Sequence, residues 1–269
     1  MSNIGCIIQA RMGSTRLPGK VMMDVEDQKP VLYFVIKQLQ ECKLIDKIIV
    51  ATTTNDEDNQ IVNYSKNLGI DCFRGSSKDV LDRHYQCAKE YSISTIVRIP
   101  SDKPLIDPEV VDNVISVFNN NSYDYVTNFL SNSTFPSGEE VEVFSMNGLE
   151  KVWRKAKLPS EREHVTPYFS NNEDKFEITH IENSENLSHI RCAVDRMEDL
   201  ELVRLIVSKI KKRPILMKDV VALFDKEPEL AKINRNVNRK EGNLKSLKED
   251  QEFYKINLSK NHYEKNKAV

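Results

Sequence analysis

Strand-like and helix-like segments alternate along the first half of the chain, and this alternation limits the fold more than any other feature. Short apolar runs such as Ile4–Gln9 and Lys47–Thr52 predict buried strands. The segment Val31–Cys42, with Pro30 at its first turn, predicts a helix. Repeated βα units of this kind favour a mainly parallel sheet with helices on both faces. The further elements of this half are predicted at Glu57–Leu68, Ile70–Phe73, Lys78–Tyr91, Thr95–Ile99, Pro108–Phe118 and Tyr123–Thr127.

The second half of the chain has a different pattern. Alternating acidic and apolar residues predict a strand at Glu140–Phe144. Beyond about Lys226 the sequence is polar, and a loosely packed tail is expected from about Lys240. The other predicted elements are helices at Gly148–Lys157, Glu161–Phe169 and Met197–Ile210, and strands at Phe176–Ile181 and His189–Val194.

Composition restricts the class of protein. The 39 basic and 41 acidic residues nearly cancel, so the whole-chain charge does not call for a nucleic acid or a membrane surface as partner. The 5 cysteines are scattered without CxxC spacing, which argues against a disulfide framework or a structural zinc site. The sequence also has no signal-peptide pattern and no apolar run as long as a membrane span. We therefore expect a cytoplasmic protein.

A basic, glycine-containing loop follows the first predicted strand. Glycines let backbone amides approach an anion closely, and neighbouring cations add charge-assisted hydrogen bonds. Such a loop suits a triphosphate, and the alternative is a solvated basic turn after an edge strand. The residues concerned are Arg11, Gly13, Ser14, Thr15, Arg16, Gly19 and Lys20.

Two aspartates are candidate ligands for Mg²⁺, which prefers a few carboxylates together with phosphate oxygens. Asp102 follows a predicted strand, at the edge where parallel sheets bind ligands. Asp107 already supplies a cap for the helix that begins at Pro108, so metal binding is the favoured role of Asp102. Asp195 taken alone is better explained as a helix cap. Combined with Asp102 and the basic loop, it supports a site of two aspartates around one metal ion.

Three further residues have open interpretations. His164 could face a second substrate or be an ordinary hydrogen-bonded helix histidine, and the residues favour neither. Arg83 and Arg98 are candidate clamps for phosphate or carboxylate groups, although partners in structural ion pairs are more common.

Several motifs in a fixed order resemble those of the CMP-sugar-acid synthetases, which include 3-deoxy-manno-octulosonate cytidylyltransferase. The segment Ile8–Lys20 resembles the signature of this family. The whole set is most similar to the spore-coat polysaccharide cytidylyltransferase-like branch. The other matching segments are Arg74–Gly75, Asp79–Arg83, Arg98, Asp102–Pro108, Val141–Phe144, Arg162–Tyr168, Val194–Leu200, Asn238–Gly242 and Lys245–Leu247.

The resemblance implies an α/β fold of the Rossmann-like nucleotide-diphospho-sugar transferase type, with a mixed, mostly parallel sheet flanked by helices. One nucleotidyltransferase domain is expected over residues 1–239, followed by a polar tail at 240–269. The implied activity is Mg²⁺-dependent transfer of CMP from CTP to a sugar acid or related polyhydroxylated acceptor, in the biosynthesis of cell-surface polysaccharides or glycans. Pyrophosphate is the second product. A homodimer is also implied, with residues 135–169 as the acceptor-binding or dimerisation segment.

The resemblance also implies roles for individual residues. Arg11, Lys20 and Asp102 would be catalytic, with Arg11 and Lys20 stabilising the transition state, and Asp102 and Asp195 would hold Mg²⁺. Nucleotide binding would involve Ala10, Arg11, Gly13, Ser14, Arg16, Lys20, Thr52, Gly75, Arg83 and Asp102, and acceptor binding would involve Arg98, Glu142 and His164.

The sequence departs from the branch at two places. Lys103 stands where Cys or Ser is usual and adds a cation beside Asp102, and Arg196-Met197 stands where Thr-Pro is usual, which changes the expected acceptor pocket. Two other functions compete with the cytidylyltransferase hypothesis. One is a glycosyltransferase of similar fold that uses a nucleotide sugar, and the other is a nucleotide-binding protein without catalytic activity.

Overall fold

A computed structural model gives the structure of residues 3–129, 133–237 and 241–267, with side chains for all of these except 241–243 and 258–267. Within these ranges the strands are β1 (Ile4–Gln9), β2 (Asp24–Glu26), β3 (Lys29–Pro30), β4 (Lys47–Thr53), β5 (Asp71–Gly75), β6 (Thr95–Pro100), β7 (Tyr125–Thr127), β8 (Glu142–Ser145) and β9 (Ile178–His180). The α-helices are α1 (Val31–Leu39), α2 (Asn59–Asn67), α3 (Val80–Glu90), α4 (Pro108–Asn119), α5 (Met146–Lys155), α6 (Pro159–His164), α7 (Pro167–Ser170), α8 (Met197–Lys209), α9 (Met217–Lys226) and α10 (Glu241–Lys267).

Seven strands form one sheet in the order β5-β4-β1-β6-β8-β7-β9. The four strands β5, β4, β1 and β6 are parallel, whereas β8 runs antiparallel to both of its neighbours. The sheet is therefore mixed and mostly parallel, as predicted. Gln9 pairs with Ala51 on one side and with Pro100 on the other, so β1, β4 and β6 end at the same edge. The loops that leave these strands meet there.

Alternation of side chains along β1 supplies both faces of the sheet with apolar residues. Ile8 packs in a cluster with Leu32 of α1 and Val111 of α4. Ile7, on the opposite face, packs in a cluster with Leu81 of α3 and Phe169 of α7. A third apolar cluster joins α8 and α9 to α1. No helix within the described ranges has both the length and the apolar character needed to span a bilayer.

The predicted strand at His189–Val194 is wrong. Its backbone makes one isolated bridge, between Ser137 and Arg191. The N–H groups of Cys192 and Ala193 both donate to the same carbonyl, that of Ser137. The next residue, Gly138, has φ +114 and turns the partner segment away, so no ladder continues. The segment is as buried as a strand, but separate hydrogen bonds hold its backbone in place of a continuous ladder.

The predicted helix at Glu161–Phe169 is two helices, α6 and α7. Val165 lies between them with φ 73 and ψ −54, outside the helical region. Pro167 follows two residues later and lacks an N–H, so it suits the first turn of a new helix, α7, better than the interior of a continued one. Sequence analysis did not predict α9, and the segment expected to be a loosely packed tail forms the helix α10, which contacts α6.

Residues 135–169 contribute to the central apolar clusters. Phe169 is fully buried, and its ring lies 5.0 Å from that of Tyr125 and 4.8 Å from that of Phe176, measured between centroids. Phe144 also contacts this ring. This segment is therefore packed against the sheet through its aromatic side chains.

We expect Phe169→Ala to lower the free energy of unfolding by about 3–5 kcal/mol, because it removes a buried ring and leaves a cavity. Leu247→Ala is the control, since that side chain is 57% exposed and its loss should change stability by less than about 0.5 kcal/mol. Urea denaturation of the three proteins measures both values. Equal midpoints for Phe169→Ala and the unchanged chain would contradict the packing of this ring.

Candidate functional site

Three segments that are distant in sequence meet at the ammonium group of Lys20. Its Nζ donates to Asp102 Oδ2 at 3.1 Å, to Asp195 Oδ1 at 2.9 Å and to the carbonyl of Val194 at 2.6 Å. Lys20 comes from the loop after β1, Asp102 from the loop after β6, and Asp195 from the segment before α8. The structure thus brings the predicted phosphate-binding cation and both predicted metal ligands into one cluster.

The backbone conformation of Gly19 directs the Lys20 side chain toward this cluster. Gly19 has φ +72, a value that favours glycine, and it begins the short 3-10 helix Lys20–Met22. The Gly19 N–H donates to the carbonyl of Met12 at 2.9 Å, which closes the loop between them. The Lys20 side chain therefore starts from a fixed turn.

The same loop presents unused backbone donors. Among the described residues, no hydrogen-bond partner is found for the N–H groups of Gly13, Thr15 and Arg16. By contrast, the N–H of Met12 donates to Asp58 Oδ1 at 2.7 Å. Successive amides with free hydrogens beside cations form the type of concave surface that binds phosphate groups.

Asp107 performs the capping role predicted for it. Its carboxylate accepts from the N–H of Glu109 at 2.7 Å at the start of α4, and from the N–H of Met217 at 2.6 Å at the start of α9. Asp102 is not used as a cap, and its carboxylate faces Lys20.

The alternative role for Asp195, capping α8, is wrong. The carboxylate of Asp199 accepts from the N–H of Asp195 at 2.9 Å and from the N–H of Arg196 at 3.0 Å. The helix begins at Met197, so Asp199 is the residue at the position from which an acid reaches back to the cap. The side chain of Asp195 is left to contact cations.

Three cations surround Asp195. Lys20 and the guanidinium of Arg16 both donate to Oδ1, and Arg191 Nη2 donates to Oδ2 at 2.9 Å. Arg191 is itself held by Asp199, whose Oδ1 accepts from Nε at 2.9 Å. Oδ1 of Asp195 thus has two cationic donors, and Oδ2 has one.

The pKa values of the cluster follow from this arrangement. Burial opposes the charged form of Lys20, but the carboxylates of Asp102 and Asp195 outweigh it and raise the pKa of the ammonium. Burial likewise opposes the charged form of Asp195, but Lys20 and Arg16 hold the pKa of its carboxyl well below its usual range. Both groups are therefore ionised at neutral pH, and the cluster places positive charge between two negative side chains.

This donor set fits a divalent cation. Asp102 and Asp195 both reach the single positive charge of Lys20, so their oxygens already converge on one cationic position. Two carboxylates completed by phosphate oxygens and water are the ligands that Mg²⁺ usually takes.

Arg11 and Arg83 form a second basic cluster. Arg11 Nη2 donates to Glu163 Oε1 of α6 at 2.8 Å and does not pair with the aspartates. Arg83 on α3 is almost fully buried, yet its Nε and Nη1 have no partner among the described residues. Burial and the nearby Arg11 guanidinium lower the pKa of Arg83 to about 10. Gly75 allows this packing, because a Cβ there would lie 3.0 Å from Arg83 Cγ.

Arg98 and Glu142 lie opposite each other on β6 and β8 and form a buried ion pair. Glu142 Oε1 also accepts from the Tyr125 hydroxyl at 2.9 Å and from the Thr166 hydroxyl. Burial alone would raise the pKa of Glu142, but Arg98 and the Thr166 hydroxyl keep it below its usual value. Both members of the pair are therefore charged, and most of the acceptor sites of the Glu142 carboxylate are occupied by hydrogen bonds.

His164 is the last residue of α6. It is hydrogen-bonded, as expected if it is an ordinary helix histidine, which was one of its two interpretations from sequence. Its Nε2 lies 2.7 Å from the hydroxyl of Ser246 on α10. Burial and the positive charge of Arg98 lower the pKa of the imidazole, so it is neutral at pH 7.

The remaining predicted residues occupy the edge of the sheet in different ways. Ala10 is buried directly after β1, and Gly13 is exposed. The Ser14 hydroxyl lies 3.4 Å from the N–H of Leu17 and stays within the loop. Thr52 is buried, with its hydroxyl 3.0 Å from Asp58, so its side chain holds the loop rather than presenting a free donor.

The two departures from the family pattern also have structural partners. Lys103 is buried, and its ammonium donates to the carbonyl of Glu140 at 2.5 Å and lies 3.0 Å from the carboxylate of that residue. The cation expected beside Asp102 is thus paired within the fold. Arg196 occupies the cap position of α8.

Sequence reasoning missed four residues that position the site: Asp58, Glu163, Arg191 and Ser246. Three of them contact partners that are 46 to 152 positions away along the chain. The spacing of residues within a local motif gives no information on such contacts. Arg191 was also missed, because its segment was predicted to be a strand, in which side chains four residues apart do not meet.

The family model for cytidylyltransferases matches residues 5–256 of the chain. Among the relatives, an uncharacterised protein of Methanocaldococcus jannaschii is 39% identical over 236 residues, which make up 87% of this chain and 95% of that protein. The spore coat polysaccharide biosynthesis protein SpsF of Bacillus subtilis is 31% identical over 238 residues, or 86% of this chain and 98% of that protein.

Solved structures give the same family and fold. A cytidylyltransferase from Leptospira borgpetersenii serovar Hardjo-bovis is 33% identical with a TM-score of 0.84, covering 89% of this chain and 100% of that chain. A CMP:2-keto-3-deoxy-manno-octonic acid synthetase complexed with CTP shares the fold at 16% identity, with a TM-score of 0.60 over 77% of this chain and 99% of that chain. The chain therefore belongs to the cytidylyltransferase family and is a nucleotidyltransferase with the Rossmann-like fold that its motifs predicted.

Proposed function

We propose that this protein transfers CMP from CTP to a sugar acid or related polyhydroxylated acceptor and releases pyrophosphate, in the synthesis of a cell-surface polysaccharide or glycan. The observation that carries the proposal is the contact of Lys20 with both Asp102 and Asp195 beside a loop with free amides. The family match and the spore coat and 3-deoxy-manno-octulosonate relatives support the substrate class.

In the proposed reaction an acceptor oxygen attacks the α-phosphorus of CTP, and the bond from that phosphorus to the bridging oxygen of pyrophosphate breaks. Charge on the triphosphate is the main obstacle, and positioning with charge neutralisation supplies most of the catalysis in such reactions. The free amides of the loop, together with Arg11, Arg16 and Lys20, are the donors for the phosphates. To bind the phosphates, each of these cations must give up its ion pair with a carboxylate.

The chemistry that Mg²⁺ would supply here is positive charge, which would offset the negative charge that develops on the phosphates. Asp102 and Asp195 are the residues that would hold the ion. Arg191 and Asp199 keep Asp195 oriented through hydrogen bonds of 2.9 Å each. These two residues are positioning groups in this proposal.

The buried, unpartnered N–H groups of Arg83 support a role in nucleotide binding. An unsatisfied buried donor costs free energy, so a ligand that supplies an acceptor atom gains by pairing with it. Gly75 and the backbone from Ala10 to Gly13 lie on the same edge of the sheet. We assign Arg83 and this backbone to the nucleotide, and Arg98, Glu142 and His164 to the acceptor.

Pyrophosphate release tests the proposal directly. The protein is incubated with each of the four nucleoside triphosphates, with Mg²⁺ and with a panel of sugar acids and polyols. We expect release with CTP and at least one acceptor of this class. Transfer from a preformed nucleotide sugar without pyrophosphate would instead support a glycosyltransferase, and CTP binding without turnover would support a non-catalytic protein.

We expect Lys20→Ala and Asp102→Asn each to lower kcat at least about a hundredfold, since the first removes a cation proposed to contact the reacting phosphates and the second removes a carboxylate proposed to hold Mg²⁺. Steady-state pyrophosphate release measures this loss. Lys218→Ala is the matched control, because this lysine is exposed and pairs with Glu109 away from the cluster. The kcat of this variant should equal that of the unchanged chain. Near-normal turnover of either site variant would refute its role.

Asp195→Asn separates the metal role from simple charge balance. Without Mg²⁺ the variant should bind CTP at least as tightly as the unchanged chain, because a carboxylate that competes for Arg16 and Lys20 is gone. With Mg²⁺ the unchanged chain should gain about tenfold or more in CTP affinity, whereas the variant should gain less than about threefold. Calorimetric titration gives all four constants. An equal gain in both proteins would remove Asp195 from the metal site.

A further inference from the structure

The helix α10 docks on α6 at the end that carries His164. Ser246 is buried, and its hydroxyl lies 2.7 Å from His164 Nε2. One turn further along, the carboxylate of Asp250 accepts from the N–H of Ser160 at 2.9 Å. Glu249, between these two contacts, acts electrostatically on the imidazole. Two hydrogen bonds and a charge thus tie α10 to the short helix that ends at His164.

The backbone directly after His164 is strained. Val165 has φ 73 and ψ −54, and the N–H of Thr166 donates to the carbonyl of His164 at 2.9 Å. This is a γ-turn of the rare kind with positive φ, and it is built on a β-branched residue for which such a conformation is unfavourable. Strain of this kind persists only where surrounding contacts impose it, and it concentrates at functional sites.

The strained turn connects His164 to the buried ion pair. The hydroxyl of Thr166 donates to Glu142, which pairs with Arg98. The charged groups that act on the imidazole come from each neighbouring element: Arg98 from β6, Glu142 from β8, Glu163 from α6 and Glu249 from α10. His164 is therefore held from two sides, by the turn toward Glu142 and by Ser246 from α10.

We propose that α10 forms one wall of the acceptor subsite, and that Ser246 is a positioning residue that fixes the His164 imidazole toward the acceptor. The proposal rests on the proposed function, because it takes Arg98, Glu142 and His164 as the acceptor side. The Ser246 hydroxyl can donate to Nε2 or accept from it, so this hydrogen bond fixes the orientation of the ring rather than its tautomer, and it leaves Nδ1 as the nitrogen available to an acceptor hydroxyl. The C-terminal helix then takes part in recognising the acceptor, whereas the phosphates are bound elsewhere.

Ser246→Ala tests the positioning role. In the variant we expect the ¹⁵N resonance of His164 Nε2 to shift from its position in the unchanged chain, because that nitrogen loses its hydrogen bond. We also expect the KM for the acceptor to rise about fivefold to tenfold, as for the loss of one hydrogen bond, while the KM for CTP stays within about twofold. The resonances are assigned with His164→Gln.

Ser208→Ala is the matched control. That serine is on α8, and its hydroxyl donates only within its own helix, to the carbonyl of Leu205 at 2.8 Å. Its spectrum and both KM values should equal those of the unchanged chain. The proposal is overturned if the Nε2 resonance of Ser246→Ala equals that of the unchanged chain, if its acceptor KM is unchanged, or if the KM values for CTP and acceptor rise together. Absence of turnover with every acceptor would refute the proposed function, and the Nε2 resonance would still decide whether Ser246 holds the ring.

Discussion

The site depends on one buried ammonium group, that of Lys20. It joins Asp102, 82 positions further along the chain, to Asp195, 175 positions away. Taking these charges out of water is costly, and the cost is offset only when the partners converge with good geometry. The carbonyl of Val194 supplies a third acceptor, and the Val194 N–H donates to the carbonyl of Asp102 at 2.8 Å. The loops after β1 and β6 and the segment before α8 must all be folded before this site exists.

For each candidate metal ligand, a second aspartate nearby accepts the backbone hydrogen bonds at the start of the following helix. Asp107 caps α4, which leaves Asp102 for Lys20, and Asp199 caps α8, which leaves Asp195 for its three cations. Sequence reasoning separated the first pair correctly, because Pro108 marks the start of α4 and so identifies its cap. It did not separate the second pair. The start of α8 was predicted correctly at Met197, but Asp195 was taken as the cap, whereas Arg196 occupies that position and Asp199 is the acid that accepts from the backbone.

The parallel half of the fold could be predicted because local patterns specify it. Apolar runs define β1, β4 and β6, and the bounds found for β1 equal those predicted, Ile4–Gln9. The second half depends on long-range contacts. His189–Val194 is as apolar as a strand but has no continuous partner, and Val165 breaks a helix in a conformation that propensity disfavours. Likewise, the cations of the loop after β1 were evident from sequence, whereas the partner of Arg11 on α6 was not, because only the folded chain brings Glu163 to it.

In the proposed function, ligand binding at this site is an exchange of partners. In the folded chain Arg16 and Lys20 pair with Asp195, and Arg11 pairs with Glu163. An anion at the loop must compete with these carboxylates, so its affinity is the difference between two sets of ion pairs rather than the sum of its own contacts. A triphosphate carries enough charge to engage several of these cations together. A monophosphate engages fewer of them, and the carboxylates then keep the rest. The pairing that stabilises the loop thus also favours ligands with several phosphate groups.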